Sequence, residues 1–527
     1  MPAQSSPHAL RPTTPPSTSL QALLDLTGAT VTTPVSGVTV TGIEQRSNAV
    51  RPGDLFAALP GANAHGARFA ADAVSRGAVA VFTDAEGAEL IGDLAVPLLV
   101  RAQPRAVLGE LSAEIYGHPS DALRIIGITG TSGKTTTSYL VEAGLVAAGL
   151  KTGLIGTIET RIGGQHVPSA LTTPEAPQLH AMFAAMVEQG VRAVVMEVSS
   201  HALALGRVDG VRFAVGAFTN LSQDHLDFHA DFEDYFGAKR TLFTGSSVAA
   251  RAAVVCVDDQ WGRRLAAELD APVTVGTREP ADWQLAGEVK TTAGAQEFTA
   301  AGPDGPLSMR LRLPGRYNIA NALLAVATCA AAGVDPAVAA PALAEVDVPG
   351  RMQRVDRGQD FLVVVDYAHK PAAVESVVTT LRGHLTEAGH GRLAVIVGAG
   401  GDRDVAKRPL MGAAGARADL MIVTDDNPRS EDPAAIRAAI IAGAHELPAT
   451  DRGEICEIGD RAAAIAAAVA WARPGDVVLI AGKGHESGQE VQGVKYVFDD
   501  RIVVAEALDA LAPRQDSPTD SEDSRVS

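Results

Sequence analysis

A repeated rhythm limits the folds open to this chain more than any other feature. A short, continuous apolar run ends in a cluster of glycine, hydroxyl and charged residues, and a helical stretch follows. LRIIGITG, VRAVVMEV, RFAVGAFTN and AAVVCVD carry the rhythm through the middle of the chain. FLVVVDYAH, RLAVIVGAG, DLMIVTDD, ICEIGD and DVVLIAGKGHE carry it toward the end. A strand with one wet face alternates apolar and polar residues, whereas a continuous apolar run suits a strand buried on both faces. Such strands separated by helices imply parallel sheets with helices on both sides, and ligands bind such sheets beyond the carboxyl ends of the strands. GTSGKT, EVSSH, TNLSQDH, DYAHK, GAGGDRD, TDDNPR and GKGHE all follow apolar runs in this way. An earlier block, from about Val38 to Val100, alternates VTVTGI, GDLFAAL, AVAVFTD and PLLV with the helical GARFAADAVSRGA. It reads as a small α/β domain.

A length of 527 residues exceeds one ordinary core and suggests about three domains. The net charge of −18 argues against general binding to nucleic acid or anionic membranes, so an anionic ligand must be held by local groups. Cys256, Cys329 and Cys456 are far apart, without metal or redox spacing, and read as buried small hydrophobes of a reduced cytosolic protein. The start, MPAQSSPHALRPTTPPSTSL, has no apolar core and reads as a floppy leader, neither signal peptide nor anchor. The end, PRQDSPTDSEDSRVS, is polar and partly acidic and reads as disordered. No apolar run is long and pure enough to span a bilayer.

GITGTSGKTTT sits between a strand and a helix, where backbone N–H groups and a helix N-terminus favour phosphate. The usual loop is G-x-x-x-x-G-K-[ST], but Ile128 occupies its first glycine position. In that loop Lys134 reaches the β- and γ-phosphates and the Thr135 hydroxyl serves Mg²⁺. A regulatory GTPase is disfavoured, because no Asn in the chain is followed by Lys. Glu197 in EVSSHAL ends an apolar strand and suits Mg²⁺, directly or through water; the plain alternative is a strand-end carboxylate in water. His225 and His229 in TNLSQDHLDFH have i, i+4 spacing, but Leu226 replaces the glutamate that a zinc protease needs. Taken alone they read as capping or surface residues, and Lys239 in FGAKRTLF as a solvated helix lysine. GAGGDRD fails the dinucleotide pattern at Arg403, which suits a carboxylate ligand better than a nicotinamide cofactor. Asp426, Asn427 and Arg429 around the rigid Pro428 suit an amino-acid zwitterion, or equally a plain loop before the helix start SEDPAAI.

Taken together and in order, GTSGKTT, LTTPEA, EVSSHAL, TNLSQDHLDFH, LPGRYNIANALLA, PGRMQ, DYAHKP, GAGGDRDVAKRPLMG, TDDNPR and AGKGHE resemble the Mur ligase family. The resemblance runs from about Val38 to Leu511, and the family's GTxGKT loop has no first glycine, so Ile128 is expected there. The fold class implied is α/β in three domains. A small α/β domain over 38–121 would bind the UDP substrate. A central P-loop ATPase with a mostly parallel sheet would span 122–348, and a Rossmann-like domain receiving the amino acid would span 349–512. Residues 1–37 would hold a flexible leader and the start of the first domain, and 513–527 a disordered tail.

The implied activity is an ATP-dependent ligation in cell-wall precursor synthesis. An amino acid joins the D-glutamate γ-carboxylate of UDP-N-acetylmuramoyl-L-alanyl-D-glutamate through an acyl phosphate. The resemblance assigns Gly130, Thr131, Ser132, Gly133, Lys134, Thr135 and Thr136 to the ATP phosphates. Asn318 and Asn321 fall on the adenine side, and Arg351 and Asp366 also match nucleotide-contacting positions. Thr135, Glu197, His225 and Lys239 as a carbamate would hold Mg²⁺. Thr172, Thr173, Ser199 and Arg207 fall to the muramoyl dipeptide, and Ser47 with Ala62, Asn63 and Ala64 to the uridine end. EQRSN replaces the D-S-R of many relatives there, and Leu171 stands where some have Asn.

Arg403, Asp426, Asn427, Pro428, Arg429, Gly482 and Glu486 fall to the amino acid, and the D-N-P-R form implies meso-diaminopimelate, with Arg429 on its distal carboxylate. A ligase adding lysine or another diamino acid is the rival within the class, and a folate-polyglutamate-type ligase a related one. A nucleotide-binding protein without ligase activity is the rival outside it. The expected protein is a cytoplasmic monomer with small-molecule substrates and neither nucleic-acid nor membrane partners.

Overall fold

The computed structural model describes residues 10–31, 33–61, 64–168, 171–292 and 295–511. Ala62, Asn63 and the tail expected over 513–527 lie outside the described residues. Residues up to 312 together with 317–346 form one compact unit, and 313–316 with 347 onward form another.

The first unit holds two large sheets and a short antiparallel pairing of 18–19 with 39–40. The smaller has five strands: β1 (Thr30–Val31), β2 (Gly42–Glu44), β3 (Asp54–Ala57), β4 (Ala80–Thr83) and β5 (Leu98–Val100), in the order β1-β5-β4-β3-β2. All pairs are parallel except β1 with β5. Helix α1 (Leu20–Thr27) covers one face with Leu20 and Leu23; Ser19 caps it by accepting from the Ala22 amide. The fold therefore begins inside the stretch that composition alone reads as a floppy leader.

The larger sheet has eleven strands. Its parallel core comprises β6 (Arg124–Thr129), β7 (Thr152–Ile155), β8 (Ala193–Glu197), β9 (Phe213–Phe218), β10 (Ala252–Cys256) and β11 (Val273–Gly276), in the order β7-β8-β6-β9-β10-β11. Buried aliphatic and aromatic residues fill these strands, as their continuous apolar runs require. Helix α2 (Lys134–Ala147) follows β6, α3 (Ala176–Glu188) precedes β8, α4 (Ser200–Ala204) follows it, α5 (Phe232–Thr244) follows β9, and α6 (Arg316–Ala331) comes after the sheet. The chain winds to both sides of β6, so the crevice at its carboxyl end is a topological switch point.

Further strands extend both edges: 159–162 and 165–168 add antiparallel on one side, while on the other 283–292 joins β11 in parallel and 295–302 and 305–311 follow antiparallel. The second set was not legible as strand. Its residues alternate between buried and exposed, and it turns through Pro303–Asp304 between the paired Gly302 and Gly305.

The second unit is a six-stranded sheet of β12 (Gln353–Arg354), β13 (Leu362–Asp366), β14 (Leu393–Val397), β15 (Leu420–Val423), β16 (Glu454–Glu457) and β17 (Val477–Ala481). The order is β12-β13-β17-β14-β15-β16, parallel except for β12. Helices α7 (Pro371–Ala388), α8 (Lys407–Gly415) and α9 (Pro433–His445) pack on one face, α10 (Arg461–Trp471) and α11 (Asp500–Leu511) on the other. A hairpin of β18 (Gly488–Val491) and β19 (Val494–Val497) follows β17.

Cys256 and Cys329 are buried, and burial pushes both thiols up to about 12, as expected of inert small hydrophobes. Cys456 departs from that expectation: it is only half-buried, because β16 is the sheet's edge. No described helix is long and apolar enough to cross a membrane.

The back face of the second sheet is tied by one buried ion pair. Arg461 donates from Nε and Nη2 to the two Asp500 oxygens at 2.7 Å each, and both side chains are fully buried. Nη2 also donates to the Ala481 carbonyl at 3.0 Å, at the end of β17. Removing one partner of such a pair strands a buried charge, which costs about 3–5 kcal/mol. Asp500→Ala should therefore lower the urea midpoint of the second unit's unfolding by that much stability; a loss under about 1 kcal/mol would contradict the arrangement.

Candidate active site

β6 ends at Thr129, and the chain turns through Gly130 at φ +142° and Gly133 at φ +88° before α2 starts at Lys134. Two neighbours force glycine there. A Cβ on Gly130 would stand 1.8 Å from Thr219 Oγ1, and one on Gly133 2.5 Å from Asn321 Oδ1. Thr219 and Asn220, just past β9, clamp the loop's Ser132 peptide. Asn220 accepts from the Ser132 amide and donates to its carbonyl at 3.0 Å each, while Thr219 donates to the same carbonyl at 2.7 Å.

Below the loop, Glu197 pairs in register with Ile128, so its carboxylate emerges level with the base of the turn. It is 1% exposed. Thr135 Oγ1 lies 3.0 Å from both carboxylate oxygens, and Thr157 donates to them from its amide at 2.8 Å and its hydroxyl at 3.0 Å. No ion pair reaches this carboxylate among the described residues. A buried anion held only by neutral donors, beside a phosphate loop, is a place where a hard cation fits. Among the described residues no cluster of three or more His, Cys, Asp or Glu could hold a metal ion, so phosphate and water oxygens would complete the shell of Mg²⁺.

Two lysine amines meet at one carbonyl. Lys134 Nζ donates to Gly130 O and Thr131 O at 2.9 Å each, and Lys239 Nζ donates to Gly130 O at 2.8 Å. Lys239 is 1% exposed and lies 4.5 Å over the Tyr235 ring, not in solvent as a helix lysine would be expected to lie. Burial, helped by the Lys134 charge and opposed by Asp224, holds its amine well below the usual lysine range. Tyr235 in turn bonds Thr131 Oγ1 at 3.1 Å. His225 sits at φ +53° beside Asp224, with its ring edge-on to His201 at 4.8 Å. His229, by contrast, is buried and pairs with Asp234, so of the two histidines only His225 is left partly exposed.

Further expected residues gather next to Glu197. Thr172 bonds Thr157 at 3.0 Å; Thr173 donates to the Glu197 carbonyl at 2.9 Å and accepts from the Ser199 amide at 3.1 Å. Arg207 reaches the Thr173 carbonyl at 3.3 Å and pairs with Glu175 at 2.7 Å. Asn318 and Asn321 are buried and bonded to each other at 3.0 Å, with Asn321 against Gly133. Ser47 and Ala64 line a cleft of about 370 Å³ whose wall also includes Arg46, Phe69 and Arg105. Arg105 pairs with Glu175 as well.

In the second unit, GAGGDRD, DNPR and GKGHE are joined by hydrogen bonds. Arg429, at φ +50°, donates to the Gly401 carbonyl at 2.7 Å and pairs with Glu490 at 3.4 Å. Asn427 donates to Glu486 at 3.2 Å. Gly482 is at φ +119°, where a Cβ would meet Asp426 at 2.8 Å. Burial, with Asp426 nearby, pushes the Glu486 carboxyl up. Arg403 stands exposed on its turn, without a partner among the described residues. Asp366 accepts from the Met352 and Ala368 amides at 2.7 and 2.8 Å, and Arg351 stacks on Tyr367 at 4.5 Å.

Sequence reasoning missed Lys483. It is fully buried, donates to Asn427 Oδ1 at 3.0 Å and Gly488 O at 2.8 Å, and pairs with Asp426 at 3.3 Å. Its place inside GKGHE was the available signal. Thr157, Tyr235 and Asn220 were missed too; only Asn220 stands in a quoted motif.

Three Mur ligase family models match this chain: the family's catalytic domain over residues 39–116, the middle domain over 128–329, and the glutamate ligase domain over 350–484. The UDP-N-acetylmuramoyl-L-alanyl-D-glutamate–2,6-diaminopimelate ligase of Streptomyces coelicolor is 54% identical over 508 residues, covering 95% of this chain and 98% of that protein. The protein of the same name from Corynebacterium efficiens is 54% identical over 471 residues, 88% and 89% of the two chains. A solved structure of a ligase of that name superposes with a TM-score of 0.67 at 32% identity, covering 93% of this chain and 98% of that one.

The loop geometry makes a direct prediction. Gly130→Ala meets both the Thr219 hydroxyl and a left-handed backbone, and such strain, about 1–3 kcal/mol, corresponds to a loss of roughly tenfold or more in nucleotide affinity. Titration with a fluorescent ATP analogue measures it; unchanged affinity would place the nucleotide elsewhere.

Proposed function

The chain belongs to the Mur ligase family, and we propose that it joins 2,6-diaminopimelate to the D-glutamate γ-carboxylate of UDP-N-acetylmuramoyl-L-alanyl-D-glutamate, cleaving ATP to ADP and phosphate, in peptidoglycan precursor synthesis. The observation that carries the mechanism is the buried Lys239 amine at the Gly130 carbonyl, beside the Thr135–Glu197 pair. A phosphate loop alone binds a nucleotide. A second, desolvated amine next to it can become a carbamate that supports a further cation, which suits an enzyme that must bring two anions together.

A carboxylate is a poor acyl donor until it carries a leaving group. A substrate carboxylate oxygen attacks the γ-phosphorus, the bond to the β-phosphate oxygen breaks, and ADP leaves. The amine of the incoming amino acid attacks the acyl phosphate carbon, loses a proton, and phosphate departs. Lys134 and the N-terminus of α2 hold the phosphates through this transfer. Thr135, Glu197 and His225 would hold Mg²⁺, which when bound offsets the repulsion between carboxylate and phosphate. Asn318, Asn321, Arg351 and Asp366 serve the nucleotide.

Lys239 supplies the remaining anion. Its depressed pKa favours the neutral amine, whose lone pair can add to CO₂, a proton passing to water, and the product is a carbamate able to support a second Mg²⁺. Thr172, Thr173, Ser199 and Arg207 orient the dipeptide, and the cleft at Ser47 and Ala64 receives the uridine end. Arg403, Asp426, Asn427, Gly482 and Glu486 serve the amino acid, with Arg429 gripping its distal carboxylate, a group lysine lacks. The protein works in the cytoplasm as a monomer.

Amino-acid-dependent phosphate release with the UDP-dipeptide tests this reading. Release is expected with diaminopimelate and not with lysine or ornithine. No release with any of them would refute the ligation, and release with lysine alone would refute the specificity. Lys239→Ala should abolish turnover while ATP binding largely persists, and near-wild-type turnover would remove the carbamate from the mechanism. Arg429→Ala should raise KM for diaminopimelate about 10–100-fold and leave KM for ATP unchanged. Equal losses for both would make Arg429 a structural residue.

A further inference from the structure

Residues 10–14 precede the matched family domains, yet they bind two parts of the first unit at once. Arg11 Nη1 donates to both oxygens of Asp54 at 2.7 and 2.8 Å, and Nη2 reaches Glu44 at 3.3 Å. Asp54 and Glu44 are almost fully buried, at the start of β3 and the end of β2. Two residues on, the Thr13 amide and hydroxyl and the Thr14 amide bind the Glu188 carboxylate, at the end of α3, at 2.8, 2.6 and 3.0 Å. Leu10 packs against the core of the larger sheet.

Glu44 organises the wall of the cleft. Its Oε1 accepts from the amides of Gln45 and Arg46 at 3.0 and 3.1 Å, from Arg46 Nε at 3.1 Å, and from Gln178 of α3 at 2.7 Å. Its Oε2 accepts from Arg46 Nη2 at 3.0 Å and from Arg11. Gln45, Arg46, Ser47 and Asn48 line the cleft directly. The wall thus hangs from one buried carboxylate that has a second buried carboxylate, Asp54, beside it. Like charges so placed repel unless a cation bridges them, and Arg11 is that bridge. Burial pushes both carboxyls up; Asp54 stays raised even with Arg11 present, whereas Arg46 and Arg11 together hold Glu44 down.

We propose that Arg11 is a positioning residue for the uridine-nucleotide end of the substrate, acting through Glu44 on the 45–48 wall and tied by Thr13 and Thr14 to α3. It rests on the reading above that this cleft takes the uridine end. Arg11 touches no substrate; it fixes the carboxylate from which the substrate-contacting turn is suspended.

Calorimetric titration of the full-length chain with UDP-N-acetylmuramoyl-L-alanyl-D-glutamate, and separately with ATP, tests it. Arg11→Ala is expected to weaken dipeptide binding about tenfold, the size of one lost charge-assisted hydrogen bond, with ATP binding unchanged. KM for the dipeptide should rise while kcat holds. Arg11→Lys, which keeps the charge but loses the fork, should recover part of the loss. Glu188→Ala, which loosens the segment without stranding a buried charge, should weaken the dipeptide about two- to threefold.

If wild-type protein fails to bind the dipeptide, the functional reading falls and this inference with it. If wild type binds and Arg11→Ala binds equally well, the inference alone is overturned. Equal loss of ATP and dipeptide binding would overturn it too, by showing general damage. Should Arg11→Ala fail to fold, wild-type binding by both Arg11→Lys and Glu188→Ala would overturn it.

Discussion

The arrangement around the phosphate loop depends on the carboxylate of Glu197, buried at the end of β8 with no ion pair among the described residues. Hydroxyl and amide donors from Thr135 and Thr157 satisfy its lone pairs, but they cannot neutralise it. The site is therefore biased toward a positive ion before any ligand arrives. The same residue organises its other neighbours, because its backbone carbonyl accepts from Thr173, which in turn accepts from Ser199. One strand end thus fixes the base of the phosphate loop and the expected dipeptide contacts together, and parallel pairing with β6 sets its height against the turn.

Two buried lysines show how burial separates structural from chemical roles. Lys483 donates to Asn427 and the Gly488 carbonyl and pairs with Asp426, so its cation has a carboxylate at hand. Lys239 is equally deep, yet its short contacts are a carbonyl and an aromatic face, and Lys134 lies near enough to repel it. A buried cation without a carboxylate partner sheds its proton more readily. The first arrangement makes a strut; the second favours the neutral amine that the proposed carbamate needs.

Much of this was legible in the sequence, and the rest was not for identifiable reasons. Continuous apolar runs gave the parallel strands, and the glycine turn after LRIIGITG gave the loop, because both signals are local. Lys239 carries no local signal: FGAKRTLF is an ordinary amphipathic helix until the loop and Tyr235 close over it. Taken by itself it reads as solvated, and only the family resemblance raised it. Glu197 had the plain alternative of a strand end in water, because its partner Thr157 stands in no motif. Arg11 was hidden by composition. A Pro/Ser/Thr-rich stretch lacks the apolar surface that makes a segment look folded, but one arginine between two buried carboxylates anchors it, with little apolar burial beside it.

That last case bears on how an acidic chain handles anions. With a net charge of −18, the overall field repels nucleotides and carboxylates, so affinity must come from local cations already in position. In the first unit several arginines near the cleft are tethered by acids. Glu44 holds Arg46, on the cleft wall, and Glu175 holds both Arg105, also on that wall, and Arg207, beside Thr173. Each pairing gives up part of the arginine's charge in exchange for a fixed guanidinium plane. A fixed donor needs no reorganisation when an anion arrives, whereas a free surface arginine loses side-chain entropy to reach the same geometry. The excess of carboxylates is therefore partly a means of placing positive charge, and the chain can be both acidic and selective for anionic substrates.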